Sequence, residues 1–553
     1  MKFLVQGRTA AAVLAFLYFI VLLPFSTTLV VQYPDERHYV HSGFRMIETG
    51  NWIIPLAADD QIRLRKPIVP YWFSVAGFEI GGKGPEGHRL FYTLGASVIL
   101  LLTYALARTL GARESDSLLA TVLLAGNPIF IRSAVNAIPD IPLTLFMVLS
   151  AIGFCRILLD PPGEAPRWAV WTAWIGGALA ILSKGVLGLV FLAFVAVFVV
   201  LFDRARLKYV LSPLPVLVAI ALILSWYLYA IFGYPTDFVN QFVDDQVQRK
   251  ITPNPWLFFS ALPGYAGVAA VSFMMLPLVL LLGSLRGLRA SVAAWPKAVT
   301  LLVAWSVTVI GIFSIIGWVA GRYLLPIIPL IAVLIVLGFT ADERRRALLT
   351  GASRWILAVI LVLQIALLGF AAAIELQLAP LGEAVALLAV YVLVIGSAAF
   401  ALVRCRTCAP FVLPLLVAVT VPLIFPPIAH LVLPHPGEPV AARLAASGGD
   451  PSRAVVVGDL ELGAGTRLYA GSAVAFRETG SLPNNDPGNF CVVMTQDTGL
   501  ADSLKERGFT VEAIQGGWRK KFDDLVPAVM QWRLPEAKSQ HLLTAYFATC
   551  PGG

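Results

Sequence analysis

Apolar positions in this chain come in long unbroken runs, not in short alternations. Thirteen runs stand out, at about 10–30, 89–108, 117–134, 141–158, 168–183, 186–202, 209–231, 263–284, 298–316, 323–341, 354–373, 384–403 and 409–431. In hydrocarbon only a helix or a closed barrel satisfies its own backbone, so each run of about 20 residues is expected to be a spanning helix. The fifth and sixth runs share a tight turn at "SKG", Ser183 to Gly185. The first run follows Lys2 and Arg8, as a signal peptide would, but it lacks a small-residue cleavage site and is expected to stay as a helix. Residues 32–88 form a long connection with two amphipathic stretches, "HYVHSGFRMIETGNWIIP" and "KPIVPYWFSVAGFEI". These are expected to lie along the membrane surface, with Trp52, Tyr71 and Trp72 at headgroup level. From about Leu433 the pattern changes. "RAVVVGDLE" and "NFCVVMTQD" are short buried-strand runs, "LADSLKERG" is a helix, and "FTVEAI" is a further strand. The expected fold is therefore a polytopic α-helical membrane domain over 1–432, followed by a soluble α/β domain over 433–553.

Composition agrees and adds direction. The chain is 58% hydrophobic and 13% charged, with a mean hydropathy of +0.79. Domain cores of a soluble protein cannot hide that many twenty-residue runs. The net charge of +8 does not point to nucleic acid, because the basic residues are placed in alternate connections. One set carries Arg108 and Arg113; Arg156 and Arg167; Arg204, Arg206 and Lys208; Arg286, Arg289 and Lys297; Arg344 to Arg346 and Arg354; Arg404 and Arg406. The short connections between them are poor in Lys and Arg. This alternation predicts a cytoplasmic N-terminus and, after an odd number of spans, a C-terminal domain outside. Five cysteines are too few for a disulfide framework. "CRTC", Cys405 to Cys408, has metal-type spacing but no second pair, so no metal site is expected there. Cys491 and Cys550 are both expected on the oxidising side, which leaves a disulfide between them open.

The connections expected outside hold an unusual set of ionisable groups. The first offers Asp35, Glu36, Arg63, Arg65, Lys66, His88 and Arg89. Others offer Asn136 and Asp140, then Lys184, then Asp244, Asp245, Gln248, Arg249 and Lys250, then Arg322 and Tyr323. Any one of these alone is an ordinary solvated loop residue or a snorkelling anchor. Several at one edge of the hydrocarbon suggest a shared polar cavity. Carboxylates with cations suit group transfer from a phosphate, which needs an acid or base for the acceptor hydroxyl and positive charge for the departing phosphate.

These residues carry a resemblance to the GT-C superfamily of membrane glycosyltransferases, in particular the bacterial lipid A aminoarabinose transferases and the wider protein-mannosyltransferase-like group. "YPDERHYVHSGFRMIETGNWIIP" resembles that family's first-loop block with its acidic pair, and "RKPIVPYW" its "EKP…YW" block. "HRLFYTLGA" resembles the entry to its second helix, "AIPDIPLTLF" its second-loop aspartate block, and "SKG" its "TKG". "FVDDQVQRK" resembles "EHIQR", and "GRYLLPIIPL" its tyrosine-containing "YLLP" helix start. The order of these blocks covers most of residues 1–340. The resemblance implies the GT-C fold and transfer of a sugar from a polyprenyl phosphate to an acceptor on the outer leaflet. It implies that Asp35 binds or activates the acceptor, with Glu36 beside it. It gives Asp140 a part in orienting substrate. Lys66, Lys184 and Arg249 would hold the donor phosphate, and Tyr323 would line the same cavity; Arg65, Arg322 and Arg89, charges near the same edge, are further substrate-binding candidates. Two positions depart from the pattern: the acid before "KP" is Arg65, and the histidine of "EHIQR" is Gln246. Both are metal-ligand positions in aminoarabinose transferases, so no metal or other cofactor is expected.

The expected activity is an inverting hexosyl or pentosyl transfer from an undecaprenyl-phosphate-like donor. The acceptor would be a lipid A-like glycolipid or another glycan. The expected setting is a monomer among lipids of a bacterial inner membrane, with the site facing the periplasm. The competing reading is a transporter or lipid flippase. A transport path needs ionisable residues near mid-membrane and access from both sides, whereas these cluster toward one face.

Overall fold

A computed structural model of the 553-residue chain describes residues 7–28, 31, 34–246, 255–284, 295–316, 319–448, 450–472, 474–478, 490–517 and 525–550. Among the described residues, each of the thirteen apolar runs is largely helix. Among the described residues, nine helices are long and apolar enough to cross a membrane, and eleven are if each bent pair counts as one span. The bent pairs are Glu114–Ala125 with Pro128–Ala134, at 67°, and Phe258–Ser272 with Leu276–Gly283, at 101°. Asn127 and Pro128 explain the first bend. The Asn127 carboxamide accepts from the amides of Ile129 and Phe130, so it starts a new helix where the proline ends the old one. The remaining two runs are Arg167–Lys184 and Val186–Phe202, split at Gly185. Gly185 has φ +68°, a backbone state that a side chain disfavours, and it lets the chain reverse within one residue.

The connection expected along the membrane surface folds as two helices, Glu36–Thr49 and Val69–Gly81. Two of its three expected aromatic anchors are exposed, and Trp72 donates to the carbonyl of Trp52 at 2.7 Å. Tyr71 is different: it is fully buried, with its ring 5.0 Å from that of Tyr39. It belongs to a small core under the loop, because helix Val69–Gly81 turns that edge inward. The helix then packs so closely on Pro85–Thr109 that a Cβ at Gly87 would lie 1.7 Å from the carbonyl oxygen of Gly82.

The C-terminal part is a five-stranded mixed sheet of β1 (Ala454–Gly458), β2 (Ala475–Glu478), β3 (Val492–Thr495), β4 (Thr510–Gln515) and β5 (Thr544–Thr549). The order is β2-β1-β3-β5-β4. β1 pairs in parallel with β2 and β3, while β5 pairs antiparallel with β3 and β4. Helix Leu460–Ala470 makes the crossover from β1 to β2, which is what a parallel pair requires. β1, expected from "RAVVVGDLE", is buried along its whole length. β2, β5 and the helices Gly437–Ala446, Leu525–Met530 and Leu534–His541 are additions to that expectation. Cys491 is disulfide-bonded to Cys550, and Cys405 to Cys408 in the turn before helix Ala409–Val432.

The sheet domain sits directly on helix Glu36–Thr49. His41 donates from Nε2 to the carbonyl of Leu460 at 3.0 Å, because a carbonyl only accepts. Its Nδ1 therefore carries no proton and accepts from the Arg467 guanidinium at 3.3 Å. Burial and the Arg467 charge push the His41 pKa down to about 3, so this neutral tautomer persists through ordinary pH. Arg467 is itself buried and donates to Val474 O at 2.7 Å. Arg37 and Glu461 add an ion pair at 3.6 Å.

Candidate active site

The acids and cations expected to share a cavity gather at the end of the bundle that carries the sheet domain. Asp35 precedes helix Glu36–Thr49 but makes no capping hydrogen bond, so its carboxylate is not spent on that helix. It is the most exposed acid of the group, with side-chain accessibility of 55%, and it accepts from Arg322 at 3.0 Å. Arg322 is the second residue of the 3₁₀ turn Gly321–Ile327 that leads into helix Ile328–Thr340. Its guanidinium carbon also lies 5.2 Å from the ring centroid of Tyr323.

Asp140 is the first residue of helix Asp140–Leu159, and Lys184 the last of Arg167–Lys184. An acid at a helix N-terminus and a cation at a C-terminus each complement the helix dipole. Lys184 Nζ donates to Asp140 Oδ1 at 2.6 Å. The other oxygen, Oδ2, is buried and has no hydrogen-bond partner among the described residues. Lys184 Nζ also stands 5.5 Å from the Tyr323 ring centroid. Tyr323 is thus flanked by two cations, each held by a different aspartate, and its ring stacks on Phe313 at 4.8 Å.

The third pair is Lys66 with Asp245, in direct ionic contact. Burial pushes the Lys66 ammonium below the usual lysine range. Asp245 opposes that shift, Lys184 adds to it, and Asp35 opposes it, so all of these groups are within electrostatic reach of one nitrogen. The contact depends on a clasp that the sequence did not reveal. The side-chain amide of Gln241 accepts from Leu64 N at 3.0 Å and donates to Ile62 O at 2.8 Å. It fixes the segment before Asp245 against the strand-like stretch before Lys66. No motif marks Gln241; a lone amide in "VNQFV" reads as an ordinary loop residue.

The structure gives Glu36 and Arg89 another place than among the acceptor acids and phosphate cations. Both are buried, and Arg89 grips Glu36 through Nε at 2.6 Å and Nη2 at 2.8 Å. Glu36 also accepts from the amide of Ala137 at 3.1 Å. Nη1 of Arg89 bonds Thr28 O at 2.9 Å and contacts Ser26 O. Burial alone would raise the Glu36 pKa; the charge and hydrogen bonds of Arg89 more than offset that and hold it low. The pair is a strut. It joins the end of the first helix, the start of the Asp35 helix and the loop that ends in Asp140. Arg65 is exposed beside Lys66, and Arg249 lies outside the described residues.

At the opposite end of the bundle, part of the basic charge is neutralised. Arg346 forks onto Asp116 at 3.1 and 2.7 Å, and Asp203 takes Lys297 at 2.9 Å as well as Arg206.

Fold and site together describe a helical bundle with acid–cation pairs gathered at one end, and known proteins share both its sequence pattern and its fold. The Dolichyl-phosphate-mannose-protein mannosyltransferase family (PMT) matches residues 7–238. The chain has the fold of the crystal structure of ArnT from Cupriavidus metallidurans bound to undecaprenyl phosphate. The TM-score is 0.68 at 17% identity, over 93% of this chain and 96% of that one. The apo structure of the same protein matches with a TM-score of 0.66. By sequence, the chain is 26% identical over 241 residues to the undecaprenyl phosphate-alpha-4-amino-4-deoxy-L-arabinose arabinosyl transferase of Yersinia pestis (strain Pestoides F), covering 43% of each. It is 27% identical over 309 residues to an uncharacterized protein of Aquifex aeolicus (strain VF5), covering 54% of this chain and 58% of that one. The chain spans about half the length of the curated relatives it matches. The likeness in fold extends over nearly the whole chain, and the family match over residues 7–238, where most of the motif blocks lie.

Proposed function

We propose that this chain is a glycosyltransferase that moves a sugar from a polyprenyl phosphate to a hydroxyl acceptor. The reading rests above all on Tyr323, which has Lys184 at 5.5 Å and Arg322 at 5.2 Å, each cation paired to its own aspartate. A neutral set of acid–cation pairs is a suitable resting state for a site that receives a phosphate. The incoming phosphodiester, a monoanion that gains a second negative charge as the sugar leaves, competes with the carboxylates for the cations, and an acid so released is free to accept a proton. The acceptor oxygen attacks the anomeric carbon as the phosphate leaves from the opposite face, so the product is inverted. Asp35, exposed at the mouth, takes or orients the acceptor hydroxyl. Asp140 holds Lys184. Lys66, Lys184 and Arg322 stabilise the charge that builds on the phosphate, as preorganised cations do in a partly dry site. Arg65 and Arg249 extend that set, and Glu36 with Arg89 supports it from beneath.

The site faces the periplasm in this reading, with the N-terminus cytoplasmic. The acceptor is a lipid A-like glycolipid or a related glycan. The chemistry runs on cations alone, because Arg65 and Gln246 supply neither the acid nor the imidazole that a divalent ion would need at those positions. The direct test uses purified protein in lipid nanodiscs with a radiolabelled polyprenyl-phosphate sugar and an outer-leaflet glycolipid fraction. Transfer of label with inverted anomeric configuration supports the reading. Movement of the intact donor across a sealed bilayer without transfer would replace it with the flippase reading.

A further inference from the structure

The sheet domain carries a short apolar foot that nothing among the described residues covers. Helix Leu525–Met530 and the turn after it expose Val526 at 59%, Met530 at 71% and Trp532 at 61%. Val526 and Met530 are one helical turn apart, so they share a face. Ala528 and Val529, to the side of and behind that face, are buried against Ile374 and Val432, near the ends of two spanning helices. Trp532 has φ +53°, which a bulky residue rarely adopts, and its ring is thrown outward where the chain reverses into helix Leu534–His541.

The height of the foot is fixed by one side chain. Gln377 stands one residue before the end of Glu343–Leu378, a helix apolar enough to span. Its amide donates to Val529 O at 3.2 Å and accepts from Leu534 N at 3.1 Å, so it holds the foot at both ends. Around that point the spanning helices also expose Leu376 at 45%, Leu381 at 69% and Val385 at 54%. The foot therefore continues an apolar surface that already faces lipid. A tryptophan beside an exposed arginine, Arg533, is the chemistry of the headgroup zone, where an indole has one apolar and one wet side and a guanidinium meets phosphate.

We propose that Val526, Met530 and Trp532 insert into the bilayer at the mouth side and fasten the sheet domain to lipid independently of its contacts with helix Glu36–Thr49. The occupant is the lipid itself, with phosphate headgroups at Arg533 and upper acyl chain at the three apolar residues. The inference rests on the membrane-spanning reading and not on the catalytic one.

The test uses the full chain with single substitutions Trp532→Cys, Val526→Cys and Met530→Cys. Under non-reducing conditions the one native free thiol among the described residues is the buried Cys155, so a fluorophore labels the new site. Each protein is placed in vesicles whose phospholipids carry a nitroxide near the headgroup or deep in the chain. Leu381→Cys is the lipid-facing control, and Lys505→Cys, 54% exposed elsewhere on the same domain, is the aqueous one. The expected result is quenching at the foot by the shallow nitroxide to the level seen at Leu381, with protection from aqueous iodide. Iodide quenching equal to that at Lys505 overturns the proposal, because the foot is then in water. Protection from both quenchers also overturns it, because protein then covers the foot. Failure of the Leu381 control would instead strike the membrane reading. Should Trp532→Cys fail to fold, Val526→Cys and Met530→Cys carry the same comparison.

Discussion

Arg322 and Asp35 lie 287 positions apart in sequence, yet the guanidinium meets the carboxylate at 3.0 Å across the mouth of the bundle. The contact joins the helix after the first span to the 3₁₀ turn before the Ile328–Thr340 helix. It also leaves the second Asp35 edge toward solvent, where an acceptor would arrive.

Asp35→Asn keeps the shape and hydrogen bonding of the side chain but removes its charge and basicity. Turnover should fall by roughly 10²-fold or more, the scale of a lost general base, while polyprenyl-phosphate affinity stays near that of the parent. Steady-state kinetics beside equilibrium donor binding would show the split. Full turnover by this variant would remove Asp35 from the chemistry and pass its role to Asp140.

The Glu36–Arg89 strut should matter to stability before it matters to chemistry. Breaking a buried pair from one side leaves an uncompensated charge and costs about 3–5 kcal/mol, so Arg89→Leu should unfold well below the parent temperature in detergent. Adding Glu36→Gln to Arg89→Leu should recover part of the loss, because no charge is then stranded. The pH dependence follows from the low Glu36 pKa. Its contribution is complete above the unfolded value near 4.5 and is lost as pH falls through the lower folded value. A double variant less stable than Arg89→Leu alone would count against the strut.

Sequence pattern reached the spans more easily than the site's wiring. Long apolar runs declare themselves locally, because each helix must satisfy its own backbone in lipid. The charged site residues among the described ones were also visible as charges near one edge, with Tyr323 beside Arg322 in the same stretch. Which charge meets which was not visible: Lys66 finds Asp245 at a separation of 179 residues, and Glu36 finds Arg89 at 53. Such pairings depend on how helices pack, and neither partner's local sequence encodes the other. Tyr71 was misplaced at the membrane surface for the same reason. Its amphipathic neighbourhood fits either an interface or a loop core, and only the packing on Tyr39 decides between them.

Topology is open to a direct measurement. Ser472 follows helix Leu460–Ala470 in the sheet domain and is partly accessible. If the basic connections are cytoplasmic, Ser472→Cys should react with a membrane-impermeant maleimide in cells whose outer membrane alone is permeabilised. A cysteine at Lys208, in a basic connection, should react only after the inner membrane is opened. The reverse pattern would turn the whole site toward the cytoplasm, where soluble nucleotide sugars would compete as donors.

Lys66 offers the clearest test of how the donor phosphate is held. Lys66→Ala removes a charge-assisted contact worth about 1.5–3 kcal/mol, so donor affinity should weaken by roughly 10–150-fold. Burial holds the Lys66 pKa below the ordinary value of 10.5, and only the protonated amine attracts phosphate. Donor binding should therefore decline as pH rises through that lowered value, earlier than an exposed lysine would allow. Lys66→Arg should move the decline to higher pH, because a guanidinium does not deprotonate in this range. It should restore only part of the affinity, since the planar fork does not fit the contact with Asp245 that the compact ammonium makes. Affinities measured with a polyprenyl phosphate across alkaline pH would decide the matter. Parent and Lys66→Arg curves that decline together would show that another group, not Lys66, sets the alkaline limit.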